Sequence, residues 1–363
     1  MNNWKKTTLG EVCNFRRGHD LPKYDMQEGM VPVSGSNGII GYHDKQTNIE
    51  PCITIGRSGN VGTPYYYEKC WAHNTVLYID DYKGNDPKFI YYFIKTLNLG
   101  NYSGGSAVPT LNRNHIHPIE VYFPIDIDEQ KRIADVLSAL DDKIEINNKI
   151  NENLEAQAQA IFKQWFVDEV DKNWKEIELG NVIETKSGGT PSRNNKLYYI
   201  NGTIDWVKSK ELNASFIIDT EEKITNEALK KSSAKLLPKH SILIAMYGAT
   251  VGEFAIIHKE MTCNQAICAL IPNNQYPYSY LYMLIKNKKT ELINMAVGSA
   301  QQNISQQLIK KILVLDCVNK IKEYHQLVKP MFENIINNKI ESQNLSEIRD
   351  SLLPKLMSGE VRV

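Results

Sequence analysis

Residues 128–166, DEQKRIADVLSALDDKIEINNKINENLEAQAQAIFKQWF, contain neither glycine nor proline. Apolar and asparagine side chains recur along this stretch every three or four residues, which predicts one long helix with a single packing face. A helix of about 40 residues is about 60 Å long, more than a small domain needs for its own core. The predicted packing face comprises Ile133, Leu137, Leu140, Ile144, Asn147, Asn151, Leu154, Ala158, Ile161 and Trp165.

A comparable face runs through the last part of the chain. Its members are Tyr324, Val328, Met331, Ile335, Asn338, Ser342, Leu345 and Leu352. Pro330 predicts a kink or an early-turn position in this second helix. The simplest partner for each face is the other helix, packed antiparallel, with Asn147 and Asn338 fixing the register at some cost in stability. The alternative is two separate helices, each lying on its own domain.

The chain also repeats itself. WKKTTLGEV at residues 4–12 resembles WKEIELGNV at residues 174–182, and Gly18 matches Gly188 at the same offset of 170. Three further matches follow in the same order: ITIGRSGNVG (53–62) with ILIAMYGATVG (242–252), GSA (105–107) with GSA (298–300), and INNKI (146–150) with INNKI (336–340). Ordered matches of this kind predict a duplicated unit of about 170–190 residues.

We expect an α+β fold class with a pseudo-two-fold internal repeat, in which two domains are separated by two long antiparallel coiled-coil helices. The predicted segments are 1–125 (first domain), 126–172 (first helix), 173–317 (second domain) and 318–363 (second helix). Short apolar runs at 53–55, 75–79 and 242–246 predict strands, and residues 87–97 and 278–288 predict amphipathic helices. Each domain should contain an irregular sheet or a small barrel.

Charge is distributed unevenly although the net charge is zero. Residues 126–172 carry 12 acidic and 6 basic side chains, whereas residues 173–317 carry 13 acidic and 17 basic ones. A mildly positive domain can meet phosphates while the acidic helix faces elsewhere, although solvated charge on an ordinary surface explains the same count. A net charge of zero counts against tight binding of a polyanion such as DNA by the chain alone.

Motifs for catalysis, metal binding or membrane insertion are not found in the sequence. There is no phosphate-binding loop and no nucleophile elbow, and the six cysteines form no C-x-x-C pair. We therefore expect no catalytic residues, no metal site and reduced cysteines. Without a long apolar run or a signal-peptide pattern, we expect no membrane partner and a cytoplasmic protein.

Four segments resemble the specificity subunits of Type I restriction-modification enzymes. The pattern Trp-Lys-x-x-x-Leu-Gly-Glu-Val at residues 4–12 resembles the start of a target-recognition domain in that family. DEQKRIA (128–134), IFKQWFVD (161–168) and LLPKLMSGEV (352–361) are similar to segments at the helix ends and at the end of the chain. The start of the second helix departs from the family pattern, with VNKI at 318–321.

The resemblance implies a non-catalytic DNA-recognition subunit with two target-recognition domains, each reading one half of a bipartite duplex target. The helices would separate the domains and dock two methylation subunits, which use S-adenosylmethionine. Restriction translocase subunits would join with ATP and Mg, and this chain itself would bind no cofactor. Two alternatives stay open: a specificity subunit of a methylation-only or Type II-like system, and a coiled-coil scaffold that binds only proteins.

Base reading requires polar and cationic side chains on segments that enter the major groove. In the first domain the candidates are Arg16, Arg17, Arg57, Ser58, Asn60, Asn112 and Arg113. In the second domain they are Lys186, Ser187, Arg193, Lys208, Lys210, Tyr247, Gln301, Gln302 and Asn303. Tyr65, Tyr66 and Tyr67 suggest either a base-stacking surface or packing at a core or edge strand, and we favour packing.

Overall fold

The protein is described from a computed structural model, which covers residues 4–104, 109–213, 215–296 and 303–363. The chain folds into two compact units. Unit 1 comprises Met1–Ile144 and Asn344–Val363, and unit 2 comprises Glu145–Gln343. Because the division falls inside both long helices, each unit contains part of each helix. The four-segment division expected from the sequence stays a prediction.

Unit 1 is built from short strands and helices. Its strands are β1 (Trp4–Thr8), β2 (Asn14–Arg17), β3 (Val31–Gly35), β4 (Gly38–His43), β5 (Cys52–Gly56), β6 (Pro64–Tyr67), β7 (Trp71–Ala72), β8 (Val76–Asp81) and β9 (Glu120–Pro124). Its helices are α1 (Leu9–Val12), α2 (Pro87–Thr96), α3 (Arg113–Ile116) and the first part of α4 (Ile127–Lys163). The rest of α4 and the π-helical turn that follows it, Gln164–Asp168, belong to unit 2.

In its described residues, unit 1 holds a sheet of order β2-β8-β5-β6, a sheet of order β4-β3-β7, and the ribbon β1-β9. The core lies where the first sheet meets α2 and α4, and Phe15, Ile55, Phe89 and Leu137 are all at most 2% exposed. The strand and helix predictions for this unit are confirmed. The single irregular sheet or barrel is replaced by separate small sheets.

Unit 2 repeats this plan. Its strands are β10 (Glu176–Glu178), β11 (Glu184–Ser187), β12 (Ile204–Val207), β13 (Phe216–Ile217), β14 (Lys223–Ile224), β15 (Ile242–Ala245), β16 (Phe254–Ile257), β17 (Thr262–Cys263), β18 (Ile267–Ile271) and β19 (Leu313–Leu315). Its helices are α5 (Asn226–Lys231), α6 (Tyr278–Asn287), α7 (Lys289–Ala296), α8 (Gln306–Lys310) and the first part of α9 (Val318–Met357).

The sheets of unit 2 correspond to those of unit 1, except that β13 adds a fifth strand to the larger sheet. Their orders are β11-β18-β15-β16-β13, β14-β12-β17 and β10-β19. The ends of β2 and β11 show the correspondence at atomic level: the amide of Gly18 donates to the carbonyl of Val76 at 3.0 Å, and that of Gly188 to the carbonyl of Ile267 at 3.2 Å. The duplication inferred from the sequence is therefore confirmed in the fold.

Helices α4 and α9 pair antiparallel inside each unit, as expected. In unit 1, Ile133 and Leu137 of α4 share a core with Leu352 and Leu356 of α9. In unit 2, the hydroxyl of Tyr324 donates to the carbonyl of Ala158 at 3.0 Å. The helices also pack on the sheet-containing bodies, since Phe162 and Phe332 belong to the core of unit 2. The structure thus combines helix pairing with the alternative in which each helix lies on a domain.

All members of both faces are buried or half-buried, including Leu140, Ile144, Leu154, Ile335 and Leu345. Asn147 is fully buried and donates to Oε2 of Glu341 at 2.8 Å and to Oγ of Ser342 at 3.2 Å.

Pro330 lies in the interior of α9 and not at its first turn. The helix continues through it because the side chain is exposed, and water can bind the carbonyl that lacks an amide partner.

Three residues in the segments that resemble the specificity subunits attach α4 to the body of unit 1. The side-chain amide of Gln130 is fully buried and donates to the side-chain oxygen of Asn85 at 2.8 Å and to the carbonyl of Pro124 at 2.9 Å. The indole of Trp4 donates to Glu129 at 2.8 Å. These bonds hold the start of the helix against the domain that precedes it.

The expectation of reduced cysteines is wrong for one pair. Cys52 and Cys70 form a disulfide in unit 1, with Cα atoms 6.0 Å apart. The pairing of β5 with β6 folds the chain back and brings the two residues together across 18 positions of sequence, which their spacing alone does not reveal. Cys13, Cys263, Cys268 and Cys317 are free and buried.

Candidate nucleic-acid interface

A cavity of about 330 Å³ in unit 1 collects most of the candidates predicted for the first domain. Its lining residues are Arg16, Arg17, Arg57, Leu77, Leu111, Asn112 and Arg113. The two leucines, at most 2% exposed, are the only apolar members of this lining, and four of the other residues are arginines. The cavity can therefore accept a ligand that offers hydrogen-bond acceptors or negative charge.

Backbone hydrogen bonds fix the positions of these arginines. Arg16 and Arg17 are the last residues of β2, and Arg57 directly follows β5. The amide of Arg57 donates to the carbonyl of Thr75 at 2.8 Å, and the carbonyl of Arg57 accepts from the amide of Leu111 at 2.8 Å. Arg57 is thus held from both sides.

The short helix α3 presents the remaining cavity residues. Asn112 caps it, because its side-chain oxygen accepts from the amide of Asn114 at 2.9 Å. Arg113 is the first residue of the helix. The cap therefore sets the direction in which Arg113 leaves the backbone.

Two arginines of the cavity, Arg17 and Arg57, repel each other. Partial burial, and then the positive charge of Arg17, lower the pKa of Arg57 below its ordinary value. Arg16 lies 3.8 Å from a carboxylate oxygen of Asp80, which is a long distance for an ion pair. A bound acceptor would offset the repulsion between Arg17 and Arg57.

His117, which interacts electrostatically with Arg113, does not add charge. Its pKa is lowered by burial and then by Arg113. Its Nε2 accepts the amide of Phe15 at 3.0 Å, which requires that nitrogen to be unprotonated. The positive charge of the cavity therefore comes from the arginines.

The other two candidates of the first domain lie outside this lining. Ser58 forms an isolated bridge with Thr110. Asn60 is exposed, and its side-chain oxygen accepts from the hydroxyl of Thr63 at 3.2 Å.

The tyrosines of β6 lie at the edge of the first sheet. Tyr65 and Tyr67 stack with ring centres 6.5 Å apart, and Tyr66 packs edge-on against Tyr91 at 5.7 Å. The favoured interpretation, edge-strand packing, agrees with these contacts.

Unit 2 has the same backbone arrangement at the equivalent position. The amide of Met246 donates to the carbonyl of Ala266 at 2.8 Å, and its carbonyl accepts from the amide of Ile304 at 2.8 Å. Met246 therefore stands where unit 1 has Arg57. Ser305 caps α8 by accepting from the amide of Leu308 at 3.2 Å, as Asn112 caps α3. Gln306 consequently stands where unit 1 has Arg113.

Side chains at this equivalent position are mainly neutral. Lys186 and Ser187 end β11, as Arg16 and Arg17 end β2. Gln306 accepts from the hydroxyl of Ser187 at 2.9 Å and donates to the hydroxyl of Thr185 at 2.7 Å. Met246 is buried. The two units thus present different chemistry on one framework.

Sequence reasoning missed Gln306. The GSA match pairs residue 105 with residue 298, an offset of 193. The same offset applied to Arg113 leads to Gln306, so the signal was present in the repeat.

Three cations of unit 2 are engaged within their own domain. Lys208 lies 2.9 Å from both Glu221 and Glu222, Lys210 lies 2.7 Å from Glu221, and Arg193 pairs with Glu222. Lys210 and Lys208 lower the pKa of Glu221 to about 2, and Arg193 is the largest cause of a lowered pKa at Glu222. These pairs reduce the field available to a phosphate.

The last candidates of unit 2 are Tyr247, Gln301, Gln302 and Asn303. Tyr247 is 47% exposed and forms an isolated bridge with Asn303. Gln301 and Gln302 fall outside the described residues.

Across residues 4–104, 109–213, 215–296 and 303–363, no group of three or more histidine, cysteine or acidic side chains is arranged to hold a metal ion. Among the helices described, none combines the length and apolar character required to cross a membrane.

A duplicated α+β fold with a cationic cavity on one copy is suited to binding nucleic acid. Residues 1–156 and 171–315 match the family model described as the Type I restriction modification DNA specificity domain. The chain belongs to this family, and its function is to specify a DNA sequence.

Individual relatives agree with this assignment. The chain is 31% identical to the Type I restriction enzyme MjaIX specificity subunit of Methanocaldococcus jannaschii, over 76% of this chain and 69% of the relative. It is 25% identical to the Type I restriction enzyme HindI specificity subunit of Haemophilus influenzae, over 76% of this chain and 77% of the relative. The crystal structure of the Type I S subunit from M. genitalium shares the fold, with a TM-score of 0.65 at 20% identity over 98% of this chain and 96% of that one.

Proposed function

We propose that each unit reads one half of a bipartite duplex target, without catalysing a reaction itself. The supporting observation is that equivalent framework positions carry different side chains: Arg17 and Arg57 in unit 1, Ser187 and Met246 in unit 2. A shared framework positions both units on the same duplex geometry, while different side chains allow two different half-sites.

The proposal assigns partner docking to the long helices. Ile146, Ile150 and Ile348 lie on them and are 51%, 43% and 47% exposed, which favours contact with another protein. The partners would be two methylation subunits that bind S-adenosylmethionine, joined in the restriction form by translocase subunits that use ATP and Mg. This chain would bind none of these cofactors.

The test is a selection experiment on the assembled enzyme. The full chain is combined with its methylation subunits and presented with a pool of randomised duplexes, and the enriched sequences are read. We expect two short motifs separated by a spacer of fixed length. In a chimera that carries residues 1–125 of a relative, only one of the two motifs should change.

Two results would contradict the proposal. Change in both motifs of the chimera would show that the units are not independent readers. Enrichment of no motif by the unaltered assembly would favour a scaffold that binds only proteins.

A further inference from the structure

Comparison of the two units separates backbone contacts from base contacts. This step depends on the proposed function, because it assumes that both units bind the same duplex. The phosphate backbone is chemically the same at both half-sites, so we expect a position that neutralises a phosphate to carry a cation in both units. A position that reads a base is free to differ between units.

Arg16 and Lys186 meet the first condition. They occupy the same register, next to last in β2 and β11, and both are cationic. Arg57 meets the second condition, since its equivalent Met246 is buried and has no side-chain hydrogen-bond donor.

We propose that Arg57 is a specificity-determining residue that recognises a guanine in the half-site of unit 1, with Arg17 beside it. Guanine presents two adjacent acceptors, O6 and N7, in the major groove, and these match the planar fork of a guanidinium. No other base offers two acceptors on that edge. The assigned contact is therefore a pair of hydrogen bonds from Arg57 to guanine.

The position of Arg57 suits base reading. Hydrogen bonds to Thr75 and from Leu111 hold its backbone, so the side chain leaves the sheet from a fixed point. Its guanidinium is partly buried and lies near Arg17, so less water must be removed on binding. Buried Leu77 and Leu111 complete a recess in which a base edge excludes solvent.

Arg57→Met, which installs the residue of unit 2, tests the inference in the selection experiment on the complete assembly. We expect one guanine position in one motif to lose its preference and the other motif to stay unchanged. Affinity for the original target should fall about ten- to a hundred-fold. Arg57→Gln, which keeps a polar side chain, should give the same loss of preference and guards against misfolding of the methionine variant.

Arg16→Met is the matched control. As a phosphate contact, it should weaken binding to all sequences about equally and reduce the slope of log affinity against log salt by about 1. Both motifs should remain unchanged in this variant.

A duplex in which 7-deazaguanine replaces the selected guanine provides an independent check. The unaltered assembly should bind it less tightly, because one acceptor is missing. The Arg57→Met assembly should not distinguish it from guanine.

Three outcomes would overturn the inference. If Arg57→Met behaves like Arg16→Met, Arg57 binds phosphate. If every guanine preference survives in a folded Arg57→Met assembly that still enriches a split motif, only this inference fails. If the unaltered assembly enriches no split motif, the proposed function fails with it.

Discussion

The side-chain amide of Asn338 donates a hydrogen bond of 2.9 Å to the side-chain oxygen of Asn151, and this bond joins α9 to α4 within unit 2. Asn151 is only 7% exposed, so its oxygen depends on a partner in the protein. Together with the contacts of Asn147, the bond favours one register of the two helices.

Asn338→Ala should therefore destabilise unit 2 by about 1–3 kcal/mol, because the oxygen of Asn151 loses this partner. Chemical denaturation measures the loss, and hydrogen exchange followed by mass spectrometry locates it. Asn337→Ala is the matched control, since Asn337 is exposed on the same helix and the change in helix propensity is the same. Equal effects of the two substitutions would argue against the register bond.

Tyr282→Phe should cost unit 2 about 1–2 kcal/mol. The carboxylate of Glu155 in α4 accepts two hydrogen bonds, from the hydroxyl of Tyr282 at 2.8 Å and from Lys286 at 2.6 Å. The substitution removes the first of these bonds and leaves the second. Tyr276→Phe is the control: its hydroxyl is also buried, but has no hydrogen-bond partner among the described residues. Its removal should leave the free energy of unfolding unchanged or raise it slightly. A larger loss at Tyr276 than at Tyr282 would refute this account.

Gly18→Ala should destabilise unit 1 by about 3 kcal/mol. An added Cβ would lie 2.1 Å from the carbonyl oxygen of His73, and this backbone oxygen cannot move away without shifting the segment that follows β7. Gly84→Ala serves as the control, because its φ of +79° strains alanine but nothing lies within 4 Å, so about 1–2 kcal/mol is expected. Thermal unfolding would measure the loss of stability in each of the two variants, and hydrogen exchange would locate it. A Gly18 variant as stable as the Gly84 variant would show that the strands accommodate the methyl group.

Acid should weaken unit 2 through His240. Its ring stacks on Tyr278 with centres 4.1 Å apart, and burial, followed by the charge of Lys239, lowers its pKa from 6.5 to about 4. Between these values the unfolded chain binds more protons than the folded one, so the free energy of unfolding falls as pH decreases from 6.5 to 4. The ring is partly exposed, and we expect a contribution of about 1 kcal/mol by pH 4.5.

His240→Asn tests this contribution, because asparagine tolerates the φ of +71° at this position. The difference in stability between the two proteins should depend on pH only in this window. Parallel curves for the original chain and the variant would exclude His240 as the cause.

Local patterns predicted much of the fold. Three- and four-residue spacing in residues 128–166 depends only on helix geometry, and it predicted α4 correctly. Matching segments predicted the duplication, because repeated sequences fold into repeated units. The positions of Arg16, Arg17, Arg57 and Arg113 in one cavity were not derivable, since strand order brings together residues nearly 100 positions apart.

Long-range partners account for what the sequence did not show. Lys208 and Arg193 were predicted as candidates for DNA contact, yet both pair with acidic residues, Glu221 and Glu222, in the segment between β13 and β14. Cys52 and Cys70 also come together only in the folded chain, because the pairing of β5 with β6 folds the chain back between them. The expectation for Pro330 considered only its local effect on the helix. The helix tolerates this proline because its side chain lies on the exposed side of α9.

The sharing of both long helices between the units has a consequence for synthesis on the ribosome. Leu356 and Met357 belong to the core of unit 1, whereas unit 2 ends at Gln343. The sheets of unit 1 are translated first, but their core lacks its final side chains until after all of unit 2 has been made. The unit that starts first is therefore the unit that finishes last, and a nascent chain carries an incomplete core throughout translation of its other half.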